Sequence, residues 1–383
     1  MSLHRGATTR PARAAASRLG TAAALAIAAL SLPARAIDLA DGKLTIDGAG
    51  GAAYSITSHN DLATGALEAD PNGTFKNIEL NLTIGVRPWE RVAIHSQLFF
   101  DQIGAAASGV DWSFIEYTFS EKLRIRAGKI KLPLGISSEV EGVGTLRPFY
   151  SLPASVYGPT GIASEAYFGA GVTGDFSTSS GWTLGYDLFG GDMSVETSEP
   201  FARLRSAPVP GTVTEPFDEE VRKMVGARFT LGLPIDGLFL RVSGYRGDLP
   251  DSATLVVALA SVEYQTERWL VRAEGFRADE GDITHGGYAE VAFHFTPEIQ
   301  LALQVEGLRT RAPGVAPNSP FLTHRSVSVG LNYWFSPGLV VKAAAQAISG
   351  NRLAFPRLLD DALLGGGVSG DTALFTLGTQ FSF

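Results

Sequence analysis

The chain has 383 residues, with 31 basic against 39 acidic side chains, no cysteine, 45% apolar residues and a mean hydropathy of +0.11. The acidic balance argues against nucleic acid as a partner, because phosphates demand a basic face. The missing cysteines exclude a disulfide framework, a thiolate metal site and a cysteine nucleophile together.

The first segment, 1–36, reads as a cleaved signal peptide. Arg5, Arg10, Arg13 and Arg18 precede an apolar run from Leu19 to Leu32, and Ala34-Arg35-Ala36 supplies a small-x-small cleavage site. The run is shorter than the roughly 20 residues a spanning helix needs. Removing it leaves 26 basic against 39 acidic residues, a net charge of −13. After residue 36 no apolar run approaches the length of a membrane helix of about 18 residues. The apolar residues are instead dispersed by alternation, which is how a β-barrel presents one face to lipid and the other to water.

In chain order, alternating segments are predicted near 43–56, 78–86, 91–101, 111–119, 122–130, 165–176, 181–191, 222–231, 237–246, 253–265, 268–278, 284–296, 298–308, 325–335 and 338–349, with a final one ending at Phe383. In 78–86, Ile78, Leu80, Leu82, Ile84 and Val86 share one face while Glu79, Asn81 and Thr83 share the other. In 325–335, Val327, Val329, Leu331, Tyr333 and Phe335 oppose Ser326, Ser328, Gly330 and Asn332.

Short, turn-like connections (Arg87-Pro88-Trp89, Ser120-Glu121, Pro234-Ile235-Asp236, Ser336-Pro337-Gly338) alternate with long ones at 57–72, 102–110, 131–164, 192–221, 247–252, 279–283, 309–322 and 350–370. This parity predicts an all-β, up-and-down antiparallel transmembrane barrel of about sixteen strands spanning 37–383, with short periplasmic turns, long external loops and an even strand count. Sixteen strands enclose a water-filled lumen, so the polar faces are expected to line it.

Aromatics gather near the short turns: Trp89, Tyr117, Phe119, Phe176, Trp269, Phe293, Phe295, Tyr333, Phe335, Phe381 and Phe383 form a candidate interfacial girdle. The charged residues Arg91, Arg124, Arg126, Arg228, Arg241 and Arg272 fall on the inferred inward faces, together with Glu79, Glu116, Glu263, Glu274, Glu290 and Glu306. A basic residue facing lipid at the midplane would cost roughly 2–4 kcal/mol. The expected mechanism is passive diffusion of small hydrophilic solutes or ions, with size and lumen charge setting selectivity.

In strand count, loop parity and the position of its longest loop, the chain resembles the sixteen-stranded porins of Gram-negative outer membranes. The stretch Gly128-Lys129-Ile130-Lys131-Leu132-Pro133-Leu134-Gly135, followed by Arg147-Pro148 and Leu152-Pro153, is similar to one in proteobacterial porin-like proteins, including relatives of the phosphate-selective group. The resemblance implies that loop 131–164 folds into the lumen as a constriction. Lys129, Lys131, Glu139, Glu141 and Arg147 would then lie on or beside it, facing wall arginines for which Arg91, Arg124 and Arg126 are the candidates. It further implies a homotrimer in outer-membrane lipid, and a barrel-assembly signal in the last strand ending at Phe383. An anion- or phosphate-selective pore is the alternative within this reading. A plugged adhesive barrel displaying loops 192–221 and 350–370, or an enzymatic barrel, is the alternative outside it.

No cofactor or metal is expected. Gly169-Ala170-Gly171-Val172-Thr173-Gly174 has dinucleotide-binding spacing but lies inside an alternating strand, where glycines mark bends or close backbone approach. His59, His95, His285, His294 and His324 are scattered without ligand spacing, and no nucleophile elbow is present.

Overall fold

The computed structural model describes residues 36–63, 67–102, 107–195, 219–250, 253–312, 317–355 and 370–383. The expected leader (save Ala36) and most of loops 192–221 and 350–370 lie outside these. Sixteen strands make one closed antiparallel barrel. In chain order they are β1 Leu44–Thr57, β2 Thr74–Trp89, β3 Val92–Asp101, β4 Ala107–Ser120, β5 Leu123–Lys131, β6 Ala166–Ser177, β7 Thr183–Val195 and β8 Glu219–Gly232. They continue with β9 Leu238–Asp248, β10 Thr254–Gln265, β11 Trp269–Asp279, β12 Ile283–His294, β13 Ile299–Arg311, β14 Thr323–Ser336, β15 Leu339–Ser349 and β16 Asp371–Ser382.

Each strand pairs with its sequence neighbours, and β1 closes the ring: Gly51 stands opposite Glu79 of β2 and Gln380 of β16. Closure removes every open edge, as a barrel in hydrocarbon requires. The seam is finished by Phe383, whose backbone exchanges hydrogen bonds with Gly48 at 2.8 and 3.1 Å. Its ring lies 2.3 Å from where a Cβ on residue 48 would stand, so any larger residue there would push the Phe383 ring aside.

Alternation holds on the outside. Val327, Val329, Leu331, Tyr333 and Phe335 are exposed along β14 while Ser326, Ser328 and Asn332 are buried inside. At the short-turn end the outward aromatics pair up, with ring centroids 4.6 Å apart for Tyr117–Phe119, 4.5 Å for Trp269–Phe293 and 4.8 Å for Tyr333–Phe335. This is the geometry of an interfacial girdle.

Pairing outruns the alternation at the external ends. β4 begins at Ala107, β7 runs to Val195 and β8 begins at Glu219. Side chains there meet solvent or loop, so backbone hydrogen bonds continue where the hydrophobic pattern that marks a strand in sequence has stopped. Register shifts at Gln97/Leu98 and Arg222/Val225 absorb the irregularity. Glycine does here what the in-strand motif implied: Gly169 stands opposite both Gly128 and Gly191, and a Cβ on Gly169 would sit 2.0 Å from the Gly190 carbonyl. Two small additions were not foreseen, a hairpin pairing Ile37–Leu39 with the start of β1, and a mouth sheet of residues 61–63, 68–69 and 354–355.

Candidate permeation site

The loop after β5 turns inward. Residues 132–165 cross the barrel interior and are stitched to the opposite wall strand by strand. The Gly135 N–H donates to Ser243 Oγ of β9 at 3.0 Å, and the Ile136 N–H to Glu274 Oε2 of β11 at 2.9 Å. The Ser155 N–H donates to Glu306 Oε2 of β13 at 2.9 Å, and Asn332 Nδ2 of β14 to the Pro148 carbonyl at 2.8 Å. Lys342 of β15 is 2% exposed and donates to the carbonyls of Gly144, Arg147 and Phe149 at 2.8, 2.5 and 3.2 Å, and to Gln380 Oε1 at 2.6 Å. The loop finally meets β2, where Tyr150 OH donates to the Asn77 carbonyl at 3.0 Å.

Two kinds of contact hold it. Carboxylates act as multiple acceptors: Glu274 also takes Ser261 Oγ at 2.6 Å, Tyr288 OH at 2.8 Å and the hydroxyl of Tyr157. A buried carboxylate is tolerable only when its lone pairs are filled in this way. The other contact is apolar. Leu132, Leu134, Val156 and Ile162 pack against inward side chains of β6 to β13, among them Met224, Leu255, Val257, Phe276, Tyr288 and Leu308. Leu132, Leu134 and Val156 are 0% exposed. Each contributes about 1.5–3 kcal/mol of apolar burial.

The expectation that polar faces line the lumen throughout is therefore corrected for the upper part of this wall, which is oily because a loop covers it. The sequence carried a signal of this: Leu255-Val256-Val257-Ala258-Leu259-Ala260 is apolar at every position, as a strand buried on both faces must be.

The wall from β2 to β5 differs. Its inward residues Asn81, Thr83, His95, Phe114, Glu116, Arg124 and Arg126 are only part-buried, while Asn77, Gln97, Asp111, Ile130 and Lys131 are buried. Between this wall and the loop, toward the external mouth, lies a cavity of about 1030 Å³. It touches the acids Glu79, Asp101, Asp111, Glu141, Glu165, Asp192 and Glu220, and the inward bases Lys131, Arg147 and Arg222, while Lys129, Phe100 and Phe168 border it from the outward face of the rim. The bases are engaged. Lys131 lies 3.4 Å from Asp111, Arg147 lies 3.3 Å from Glu79 and donates to the Glu141 carbonyl at 2.6 Å, and Arg222 is paired with Glu220. Desolvation raises the pKa of Glu141. It raises that of Glu165 well above the ordinary value, with the neighbouring carboxylates of Glu141 and Asp111 adding to the effect.

Below the loop, the wall charges come as matched pairs. Arg126 meets Glu116 at 2.8 Å, Arg124 meets Asp175 at 2.6 Å, and Arg228 bridges Asp187 at 2.8 Å and the loop's Glu139 at 2.6 Å. Further round, Glu263 joins Arg241 at 3.4 Å and Arg272 at 2.8 Å. The loop acid that meets a wall arginine is thus Glu139, and its partner is Arg228.

The sequence candidates occupy several different places. Arg91 sits exposed in the short turn between β2 and β3, away from the loop. Lys129 shares the outward face with Ser113 and Phe168, its ammonium 5.7 Å from the Phe168 ring and 3.1 Å from the Val110 carbonyl. Arg272 and Glu274 are buried against the loop. Arg124, Arg126, Lys131, Glu139, Glu141, Arg147, Arg228 and Arg241 lie inside, on the wall or the loop. Lys342 and Glu306 anchor the loop and were not singled out as site residues, since an isolated charge in an alternating strand carries no mark of what it will touch.

The overall shape has known counterparts. The outer membrane channel DcaP of Acinetobacter baumannii superposes with a TM-score of 0.59 at 8% identity, over 90% of this chain and 99% of that one. An anion-selective porin from Comamonas acidovorans gives 0.55 at 9% identity, covering 89% and 99%. The fold is that of the porins. Outer-membrane expressed OmpT of Vibrio cholerae also matches, with a TM-score of 0.53 at 12% identity over 91% and 100%. No family model matches the sequence, and no curated protein does. At such identities the likeness establishes the porin fold and nothing of the chemistry, which has to come from this chain's own residues.

Proposed function

We propose that the chain is an outer-membrane porin, a passive channel for small hydrophilic solutes or ions, narrowed by its inward loop rather than closed by it. The observation that carries this reading is the asymmetric seating of loop 132–165, sealed against β9 to β16 and leaving a 1030 Å³ charged cavity beside β2 to β5. Pairing of the wall charges cancels most of the lower field, so the acids of the outer cavity set the sign of selectivity, favouring cations over anions. Passive transport needs no catalytic group, and the matched pairs along the wall fit a solvated lining better than an enzyme centre. Exported on its leader 1–36, the barrel would enter the membrane through the assembly signal of its last strand, ending at Phe383. Resident there among lipid, it assembles as a homotrimer.

An anion or phosphate preference is the second reading. The anion-selective Comamonas neighbour favours it, while the pairing of Arg124, Arg126 and Arg228 with carboxylates weighs against it. Recording the purified protein in a planar bilayer under a salt gradient decides. Stepwise, long-lived openings with a reversal potential of cationic sign are expected. Openings of anionic sign would replace the proposal with the second reading, and a folded but silent protein would overturn both.

A further inference from the structure

The barrel wall dips where the inward loop leaves it. β5 has nine residues, the fewest of the sixteen strands and close to the roughly 9–11 that cross the hydrocarbon. Its neighbours run on. β4 last meets β5 at Ser113, opposite Lys129, and above that level Ala107, Ser108, Gly109, Val110 and Trp112 pair with β3 alone. β7 last meets β6 at Asp192, opposite Phe168, and its end from Met193 to Val195 pairs with β8 alone. The chains of β5 and β6 continue only to Leu132 and Glu165, joined by a backbone hydrogen bond of 3.1 Å, before the loop turns inward. Among the described residues the external rim therefore has a notch two strands wide, whose sides β4 and β7 stand three strand spacings apart, roughly 14 Å.

Inside the notch lies the charged cavity of about 1030 Å³, and outside it a shallow groove over Val110, Ser113, Lys129 and Phe168; Lys129 and Phe168 border both. The outer surface is apolar, with Phe100, Val110 and Phe168 exposed and Ile115, Ile125 and Leu188 continuing the belt below them. Lys129, on the sill, is held by the Val110 carbonyl and the Phe168 ring. The inner surface is acidic. A bulge opposite Gln97 and Leu98 makes Asp111 the extra residue of β4 and turns its side chain inward, where it is 3% exposed. Gln97 and Lys131 both approach its Oδ2, and its Oδ1 takes no donor among the described residues. Its neighbour Glu165 is a second carboxylate, so two acceptors adjoin there. A buried carboxylate oxygen without a donor is costly, and a ligand that brings one is favoured.

We propose that the notch seats amphiphilic primary amines from the outer leaflet and gives the cavity a lateral entrance, the ammonium donating to Asp111 Oδ1 beside Glu165 and the apolar tail lying over Val110 and Phe168. An ammonium supplies the donor that Asp111 lacks, and its three N–H groups suit a site framed by carboxylates. An amphiphilic acid would face the same carboxylates unpaired. The tail's place follows from the nine-residue length of β5, which sets the sill at the outer edge of the hydrocarbon. The inference rests on the reading of the barrel as an outer-membrane protein, but it is independent of whether the lumen conducts.

The test is photolabelling of the refolded full chain in phosphatidylcholine vesicles by dodecylamine carrying a diazirine in its tail, with diazirine-bearing dodecanoic acid as the comparison probe. Peptide mass spectrometry reads adducts at Val110 and Phe168 relative to those at Val327 and Val329, which report general lipid exposure on β14. That ratio should be about tenfold higher for the amine than for the acid, and Asp111→Asn should lower it about tenfold, the worth of one charged hydrogen bond. Folding is checked by heat-modifiable migration on a gel. If Asp111→Asn does not refold, Glu165→Gln carries the same expectation at about threefold. Equal ratios for amine and acid would make the notch ordinary lipid-facing surface and overturn the inference. So would an unchanged ratio in the folded variant. Because the readout is attached probe and not current, a silent channel would leave this result standing.

Discussion

The two sides of the barrel wall are both antiparallel strands with apolar outward faces, yet inside they are different surfaces. From β10 to β16 the inward residues are buried almost without exception, under a loop they hold by hydrogen bonds to its backbone. From β2 to β5 most of them stay part-exposed, and several border a cavity. What separates the two is the side chain available to a passing loop. The closed side offers multi-acceptor carboxylates, a buried lysine and apolar patches, while the open side offers polar groups that satisfy one another, as Gln97 does with Asp111 at 2.8 Å and Arg126 with Glu116. In the proposed channel, the bore is set by which arc of wall is given up to the loop.

The largest effect should come from breaking the closed side. Lys342→Met removes every hydrogen bond from the ammonium to the loop carbonyls and to Gln380. Leaving a buried acceptor without its donor costs about 1–3 kcal/mol. The variant should melt earlier and conduct with larger, noisier openings; unchanged conductance with lowered stability would show that the loop does not narrow the path.

A smaller effect is expected from pH. A carboxyl whose pKa is raised by the fold is destabilising while ionised, so protonating Glu141 strengthens the loop's seat as pH falls from neutral through its raised value, and the gain levels off below the unfolded carboxylate value. The same protonation removes negative charge from the cavity. Cation preference should therefore begin to fall well above the ordinary glutamate value of about 4.3. Glu165→Gln should reduce the upper part of that titration, and an identical profile in the variant would remove Glu165 from the account.

Much of the architecture was legible in advance because membrane strands obey a strict period of two. All sixteen strands were placed within a few residues, and the parity of the loops gave the antiparallel barrel. The entry of the 131–164 loop into the lumen was implied by resemblance alone. Its route was not legible, since hydrogen bonds such as Ser155 to Glu306 join residues 151 positions apart and leave no local trace. Lys129 shows the same limit at the scale of one residue: it lies in the stretch that resembles other porins, but the register of β5 turns it outward.

The difference between the two arcs can be read directly, because the chain contains no cysteine of its own. Asn81→Cys on the open side and Gln304→Cys on the closed side, each the sole thiol, are exposed to a charged methanethiosulfonate during single-channel recording. The account predicts a stepwise loss of current and a change in ion selectivity for Asn81→Cys and no response for Gln304→Cys. Block at Gln304→Cys with none at Asn81→Cys would place the path on the wrong side of the loop and contradict it.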